Sequence, residues 1–351
     1  MQIVESTEKF RNEWDRVVLN SNDAWLFHLY DWQKCAEEVW GFKNHSFIVK
    51  SDTGETLGIF PLYFKKWKIF GLLDLKLFYS SVMGTGGPAL VSNVLIENRK
   101  KVLDYIFKYV DRLAEEKNVD WIQVELPPLA PANLPPLREN VNPLLFHGFK
   151  DISTTSYILW LDKSIDELWA NLDKKCRNAV RKAEKRGVKI TKAQSLSDIK
   201  EYYNIHIENY KRTGAKPHPF KYFEFIWEVF GKKGIANFFF AEHEGEKIAA
   251  LNVGVFKKSA IYWTGCSRTD YLNLRPNNIL QWYAIKWAKE QGCKWYEIGE
   301  AFPGTQNRKL AGLTMFKGSF GGEIYYFYKG LKVYHKHKRI LYEFYKNFKE
   351  P

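Results

Sequence analysis

The stretch 294–327, KWYEIGEAFPGTQNRKLAGLTMFKGSFGGEIYYF, holds the residue types best spaced for chemistry. Glu297 and Glu300 stand at or just beyond the end of an apolar strand. Lys317 follows a phenylalanine and precedes Gly318, Gly321 and Gly322. A lysine among aromatics and glycines, away from acidic partners, is poised for an anion. A surface lysine in a turn is the competing reading of the same spacing.

A second group is basic. Residues 172–192, LDKKCRNAVRKAEKRGVKITK, carry nine Lys/Arg against Asp173 and Glu184, a net of +7. Arg177, Arg181 and Lys185 lie four apart and so share one helix face. Residues 329–350 carry seven against Glu343 and Glu350, a net of +5. These two segments account for +12 of the chain's +13, so the charge sits in two patches. Such patches concentrate anions and raise their on-rates. Phosphates of RNA, a nucleotide-sugar, a lipid pyrophosphate or a coenzyme all qualify, and two solvated helix faces are the alternative. GTGG at 84–87 reads as a phosphate-cradling loop or a plain turn.

Other chemistries are absent. There is no G-x-S-x-G, Walker A or kinase signature, and no carboxylate pairing that commits to glycoside hydrolysis. Cys35, Cys176, Cys266 and Cys293 form no CxxC and read as reduced cytosolic thiols. His335 and His337 fall on a solvated basic tail, and no metal site is expected.

The elements that must position these groups follow from periodicity. In the first half, helices are expected at 8–19, 31–39 and 97–117, and strands at 45–50, 56–64, 67–70, 75–79 and 121–125. PPLAPANLPPL after them cannot be a helix interior. A strand at 156–161 opens the second half. Ser164 and Glu167 form a capping box that starts one helix running to Gly187, with Leu168, Leu172, Cys176, Ala179 and Ala183 inward. Strands follow at 188–191, 235–242, 247–256 and 260–264, with helices at 196–212 and 222–230. A helix from Asn278 stops at Gly292. Then come a strand at 294–298, a loop at 300–313, a strand at 324–327 and a helical tail from Val333.

The halves resemble each other. IVKSDTGETLGIFPLYFKK (48–66) and FFAEHEGEKIAALNVGVFKK (239–258) both read strand, Gly-Glu turn, strand, Lys-Lys. A period this long implies two like domains in tandem, not a solenoid. The 351 residues suit two domains, and 45% hydrophobic with 26% charged residues is a folded, globular composition. No apolar run is long enough to span a membrane, and MQIVESTEKF, with two glutamates and no apolar core, is not expected to act as a signal peptide.

FKGSFGG, the preceding NNILQWYAIKWAKEQGCKWYEIG and the earlier RNAVRKAEKRGV resemble the Fem family of peptidoglycan interpeptide-bridge aminoacyltransferases, relatives of GNAT acyltransferases. The resemblance covers about 155–328 well and the first half in outline, through Trp32 in FHLYDWQK and the strand before ELPP. It implies an α+β fold of mixed α/β sheets in two tandem GNAT-like domains. The expected boundaries are 1–155 plus a returning 329–351, and 156–328. It also implies that Lys317 steadies a tetrahedral oxyanion. The family's phosphate-binding basic residue matches His218, with Arg212 and Lys216 beside it, which leaves that contact in doubt or passes it to the neighbours. A substrate-binding lysine is replaced by Ala36, with Lys34 nearest, and the family's Asp-Pro by Glu125-Leu126-Pro127. The helical arm of tRNA-dependent members of one subgroup has no room between Arg186 and Phe238. The GNAT pyrophosphate pattern aligns with 275–280, where Arg275 is kept but Asn278 and Leu280 replace both glycines.

The resulting expectation is a cytoplasmic N-acyltransferase, working at the inner face of the membrane in one version. It moves an aminoacyl or acyl group from aminoacyl-tRNA or acyl-CoA to a primary amine of a peptidoglycan-type precursor. Glu300 or Glu297 is the base for the attacking amine. Arg177, Arg181 and Lys182 bind phosphates of donor or acceptor. No tightly bound cofactor is expected. The partners are a phosphate-bearing or lipid-linked acceptor and, with peripheral membrane association in view, tRNA as donor. The alternatives are an acyl-CoA-dependent N-acetyltransferase of an amino sugar or small amine, and a non-enzymatic binder of RNA or an anionic surface.

Overall fold

Apolar strand sequences build the sheet that carries the reactive stretch. Ala236–His243, Glu246–Phe256 and Ser259–Ser267 pair antiparallel in succession. The full order is Lys189–Lys192, Ala236–His243, Glu246–Phe256, Ser259–Ser267, Trp295–Ala301, Thr154–Trp160, Glu323–Phe327. Ser259–Ser267 and Trp295–Ala301 are parallel, so a crossover must join them. The helix Pro276–Glu290 provides it, with Leu280, Ala284, Ile285 and Ala288 buried against Phe239, Leu251, Tyr296 and Ile298. The parallel pairing lasts only from Ser259↔Trp295 to Ile261↔Glu297. Beyond it the strands part, and both continue, to Ser267 and to Ala301.

The structure, a computed structural model, describes residues 1–138 and 140–349. Glu350, counted above with the tail charge, lies outside the described residues. The chain divides into two units, Thr155–Tyr325 and Met1–Thr154 with Tyr326–Pro351. The architecture is a mixed α/β one. Among the described residues no helix is long and apolar enough to cross a membrane.

In the first unit a six-stranded sheet runs Lys43–Asn44, Tyr63–Ile69, Leu73–Tyr79, Trp121–Glu125, Lys329–Val333, Lys150–Asp151. A four-stranded sheet joins Gln2–Glu5, Phe47–Lys50, Thr56–Phe60 and Ala89–Leu90. The helix Ile96–Glu116 buries Val102, Ile106, Phe107 and Val110. The repeated Gly-Glu turn is seen in both units, with Gly54 at φ +86° and Gly245 at φ +82°. Each closes an antiparallel hairpin where a left-handed residue is needed.

Four elements differ from the sequence reading. The strand expected at 56–64 is two strands in different sheets, parted at Pro61-Leu62, because proline cannot donate to a ladder. The helix expected from Ser164 to Gly187 is two, Ile165–Asn171 and Lys174–Lys185. Leu172 and Asp173 are extended (ψ 143° and 147°), which resets the helical phase. Val180, not Ala179, therefore joins Cys176 and Ala183 in the core. The loop expected at 300–313 is seen only at 302–307, because the preceding strand runs on to Ala301 and a helix, Arg308–Gly318, follows, capped by the Asn307 side chain on the N–H groups of Lys309 (3.0 Å) and Leu310 (3.3 Å). None of its residues is fully buried, so it has no apolar stripe for periodicity to detect. The tail begins as the strand Lys329–Val333 and becomes helical at Lys336–Lys349. There His335, expected in solvent, pairs with the fully buried Asp120 at 2.9 Å, as does Lys338 at 2.9 Å.

GTGG resolves as a backbone-packing turn. The Gly86 N–H bonds the Glu125 carbonyl at 2.7 Å, and a Cβ there would stand 1.9 Å from the Ser80 carbonyl oxygen. Gly86→Ala is therefore expected to destabilise the protein by about 3 kcal/mol or more. Thermal unfolding checks this, and an unchanged midpoint would refute it.

Candidate active site

The strand Trp295–Ala301 supplies two of the three groups singled out from sequence. Tyr296 and Ile298 face the core, so Glu297 points to the other face by strand alternation. Its pairing with Thr154–Trp160 carries a bulge: Ile158 pairs Glu297 while Tyr157 already pairs Gly299. Bulges of this kind re-aim side chains beside active sites. Glu297 is 4% exposed and accepts a hydrogen bond from the fully buried Ser156 hydroxyl at 2.7 Å. These groups sit where the two parallel strands separate, the end of an open sheet at which ligands bind.

Lys317 arrives from the last turn of Arg308–Gly318. The negative end of the helix dipole favours an ammonium there. Its Nζ donates to the Glu300 carbonyl at 2.7 Å. It lies over Gly299, where a Cβ would be 3.2 Å from Nζ, and Gly299 is held at φ +104°. Gly318 lies against the Tyr157 ring, with a would-be Cβ 2.8 Å from the hydroxyl. Burial pushes the Lys317 ammonium below its ordinary range, and Glu297 and Glu300 pull it part of the way back. Among the described residues its other two N–H donors have no hydrogen-bond partner. A half-buried cation with spare donors beside a buried carboxylate can stabilise an oxygen that becomes negative during reaction. Carboxylates of this kind can in general accept a proton from a neutral amine.

The other candidates are dispersed. Arg177 Nη1 donates to the carbonyls of Ala170 (2.8 Å) and Leu172, at the end of the preceding helix. Arg181 lies over the Trp169 ring at 5.3 Å, and Lys182 is exposed on the same helix. Asn278 donates to Cys176 Sγ at 3.7 Å. This ties the basic helix to the start of Pro276–Glu290, where Arg275 is exposed and left-handed at φ +60°. Arg212 holds the loop after Ser259–Ser267, bonding the Ser267 carbonyl and Thr269 Oγ1 (both 3.2 Å) and Asn209 (2.7 Å). Lys216 is exposed. His218 packs among Tyr210, Tyr222 and Phe223, and its backbone N–H donates to His206 Nε2 at 3.1 Å. Burial lowers the pKa of both imidazoles, that of His206 to about 4. Burial thus disfavours the charged form of His218, the form that would meet a phosphate.

Two candidates lie in the first unit. Lys34 pairs with Glu8 at 3.0 Å, and Glu125 Oε1 accepts from Gln123 Nε2 at 2.5 Å. Sequence reasoning missed Ser156, Tyr157 and Gly299. Gly299 was visible inside the YEIGE run. Ser156 reaches Glu297 only through strand pairing, which no local spacing reveals.

Comparison with known proteins bears on the fold and the reaction class. Residues 170–307 match the GNAT acetyltransferase domain family. Lipid II:glycine glycyltransferases of two Staphylococcus epidermidis strains are each 23% identical over 299 residues, covering 64% of this chain and 70% of theirs. A crystal structure of FemX superposes with a TM-score of 0.73 at 18% identity, covering 97% of this chain and 99% of that one. A tandem GNAT protein from the clavulanic acid biosynthesis pathway gives 0.54 at 9% identity, over 95% and 98%. The chain thus carries a GNAT acetyltransferase-type domain over residues 170–307, and its fold is similar to that of FemX and of a tandem GNAT protein.

Proposed function

We propose that this enzyme is a cytoplasmic aminoacyltransferase that transfers an amino acid from aminoacyl-tRNA to a primary amine of a lipid-linked or otherwise phosphate-bearing peptidoglycan precursor. The observation that carries the reading is Lys317 Nζ, 2.7 Å from the Glu300 carbonyl and beside Glu297, where the parallel strands part. The amine nitrogen attacks the ester carbonyl carbon and a C–N bond forms. Lys317 donates to the oxygen that becomes negative. Glu297 or Glu300 takes the amine proton. The C–O bond to the ribose breaks, and the ribose oxygen leaves with a proton. No covalent enzyme intermediate is needed. The lipid II named for the Staphylococcus relatives supports an acceptor of this class.

The start of the crossover helix favours an ester donor over a thioester of CoA. A pyrophosphate there needs close-approaching backbone N–H groups. Pro276 has none, Asn278 replaces glycine, and the Asn277 side chain is engaged with Ser267 Oγ at 3.2 Å. Acyl-CoA remains the second reading because the matched family is described as an acetyltransferase. Incubation with mixed radiolabelled aminoacyl-tRNAs and a precursor amine is expected to give labelled amide. Acetyl-CoA is expected to release no thiol above background. Thiol release without tRNA-dependent product would reverse the assignment.

A further inference from the structure

The first unit carries an exposed surface that catalysis in the second does not use. The hairpin Tyr63–Ile69 and Leu73–Tyr79 turns at Phe70 and Gly71, both left-handed at φ 52° and 68°. Its tip is apolar and bare: Leu72 is 90% exposed, Phe70 51% and Trp67 50%. Trp67 pairs with Leu75, so its ring lies on the sheet face that the tail helix covers. That helix, Lys336–Lys349, packs inward through Arg339 over Trp121 (4.9 Å), Tyr342 on Trp121 (5.1 Å) and Tyr345 on Phe70 (4.9 Å). Its outer face is also apolar: Ile340 is 69% exposed, Phe344 67% and Leu341 45%. A helix whose inner face is already filled would ordinarily turn charge outward.

The other face of the same hairpin is cationic. Lys66 and Lys76 stand directly opposite each other across the two strands, an arrangement that repels in isolation. With Lys43, Lys117 and Lys65, whose Nζ already donates to the carbonyls of Trp40 (2.7 Å) and Gly41 (3.0 Å), they line a shallow cavity of about 570 Å³ that also holds His45 and Phe64. Among the described residues none of these five lysines pairs with a carboxylate. Asp74 is the lone acid on the two strands, opposite Lys68.

We propose that this unit docks on an anionic lipid bilayer. The hairpin tip and the outer face of Lys336–Lys349 enter the interface, and the lysine cavity takes lipid phosphate. The two features answer each other: apolar side chains need a non-aqueous surface, and Lys43, Lys66, Lys76 and Lys117, without carboxylate partners, need anions. Trp67 has the amphipathic ring favoured at headgroup depth. Neither feature alone anchors firmly, since stable peripheral binding takes an apolar and an electrostatic signal together. The purpose of such docking rests on the lipid-linked acceptor proposed above. Vesicle binding is measured without donor or acceptor, so either reading can fail alone.

The test is co-sedimentation of the full chain with phosphatidylcholine vesicles, with and without one quarter phosphatidylglycerol. Binding is expected only with phosphatidylglycerol, and it should weaken as salt is raised. Leu72→Ser with Phe344→Ser, and separately Lys66→Gln with Lys76→Gln, should each lower partitioning roughly tenfold or more. Circular dichroism and transfer to a soluble amine should be unchanged. The lysine pair serves as the folding control, because removing its repulsion cannot lower stability by the same route. Equal binding to both vesicle types overturns the proposal, as do variants that bind like the parent. So does a dimer in light scattering that Leu72→Ser with Phe344→Ser dissolves, which would assign the surface to a second copy.

Discussion

Lys317→Ala is expected to cut turnover by about 10²–10³ and leave the fold intact. That is the range for removing one preorganised donor from a developing oxyanion. The fold should survive because the ammonium is a cost to the native state: burial depresses its pKa, so the folded protein holds the charged form reluctantly. Loss of the Glu300 carbonyl bond at 2.7 Å offsets part of that gain. The comparison is single-turnover rate against thermal midpoint. A rate within threefold of the parent would remove Lys317 from the chemistry.

The pH dependence has a definite sign. In the mechanism proposed above catalysis needs the Lys317 ammonium, so activity is expected to fall as pH rises through the Lys317 pKa. Since that pKa lies below the ordinary lysine range, the alkaline limb of the rate profile should lie below about 10.4. Lys317→Arg retains the charge and should carry that limb upward, out of the measurable range.

Glu297→Gln is the second large effect, a loss of about 10²–10⁴ in turnover if this carboxylate takes the amine proton. The substitution is nearly isosteric, and the glutamine carbonyl can still accept the Ser156 hydroxyl bond now made at 2.7 Å. The variant carries a second signature. Glu297 raises the Lys317 pKa, so removing its charge lowers that pKa further and moves the alkaline limb to lower pH. A base role predicts loss of the acid limb as well. A merely electrostatic role moves only the alkaline limb. Turnover that is kept in Glu297→Gln and lost in Glu300→Gln would transfer the role to Glu300.

Much of this arrangement was legible from sequence because it is local. The Ser164/Glu167 capping box forms as spaced, with the Ser164 Oγ accepting the Glu167 N–H at 3.2 Å. The strand Trp121–Glu125 has the expected bounds. What failed was what local pattern does not encode. Arg308–Gly318 has no buried residue, and the break at Leu172-Asp173 interrupts a stripe that reads as continuous.

By itself the sequence determined the residue types of a reaction: a lysine among glycines and two carboxylates at a strand end. It also determined a duplicated fold and two basic patches. Tertiary structure decided which of these meet. Strand pairing across the chain brings Ser156 to Glu297, and a positive-φ glycine leaves the space through which Lys317 reaches the Glu300 carbonyl. It also decided which cations are committed: Arg177 and Arg212 close helix and loop carbonyls, whereas Lys66 and Lys76 face each other without acids. Charge is a property of composition, but its availability depends on which acceptors the fold brings within about 3 Å, and that is set by long-range packing.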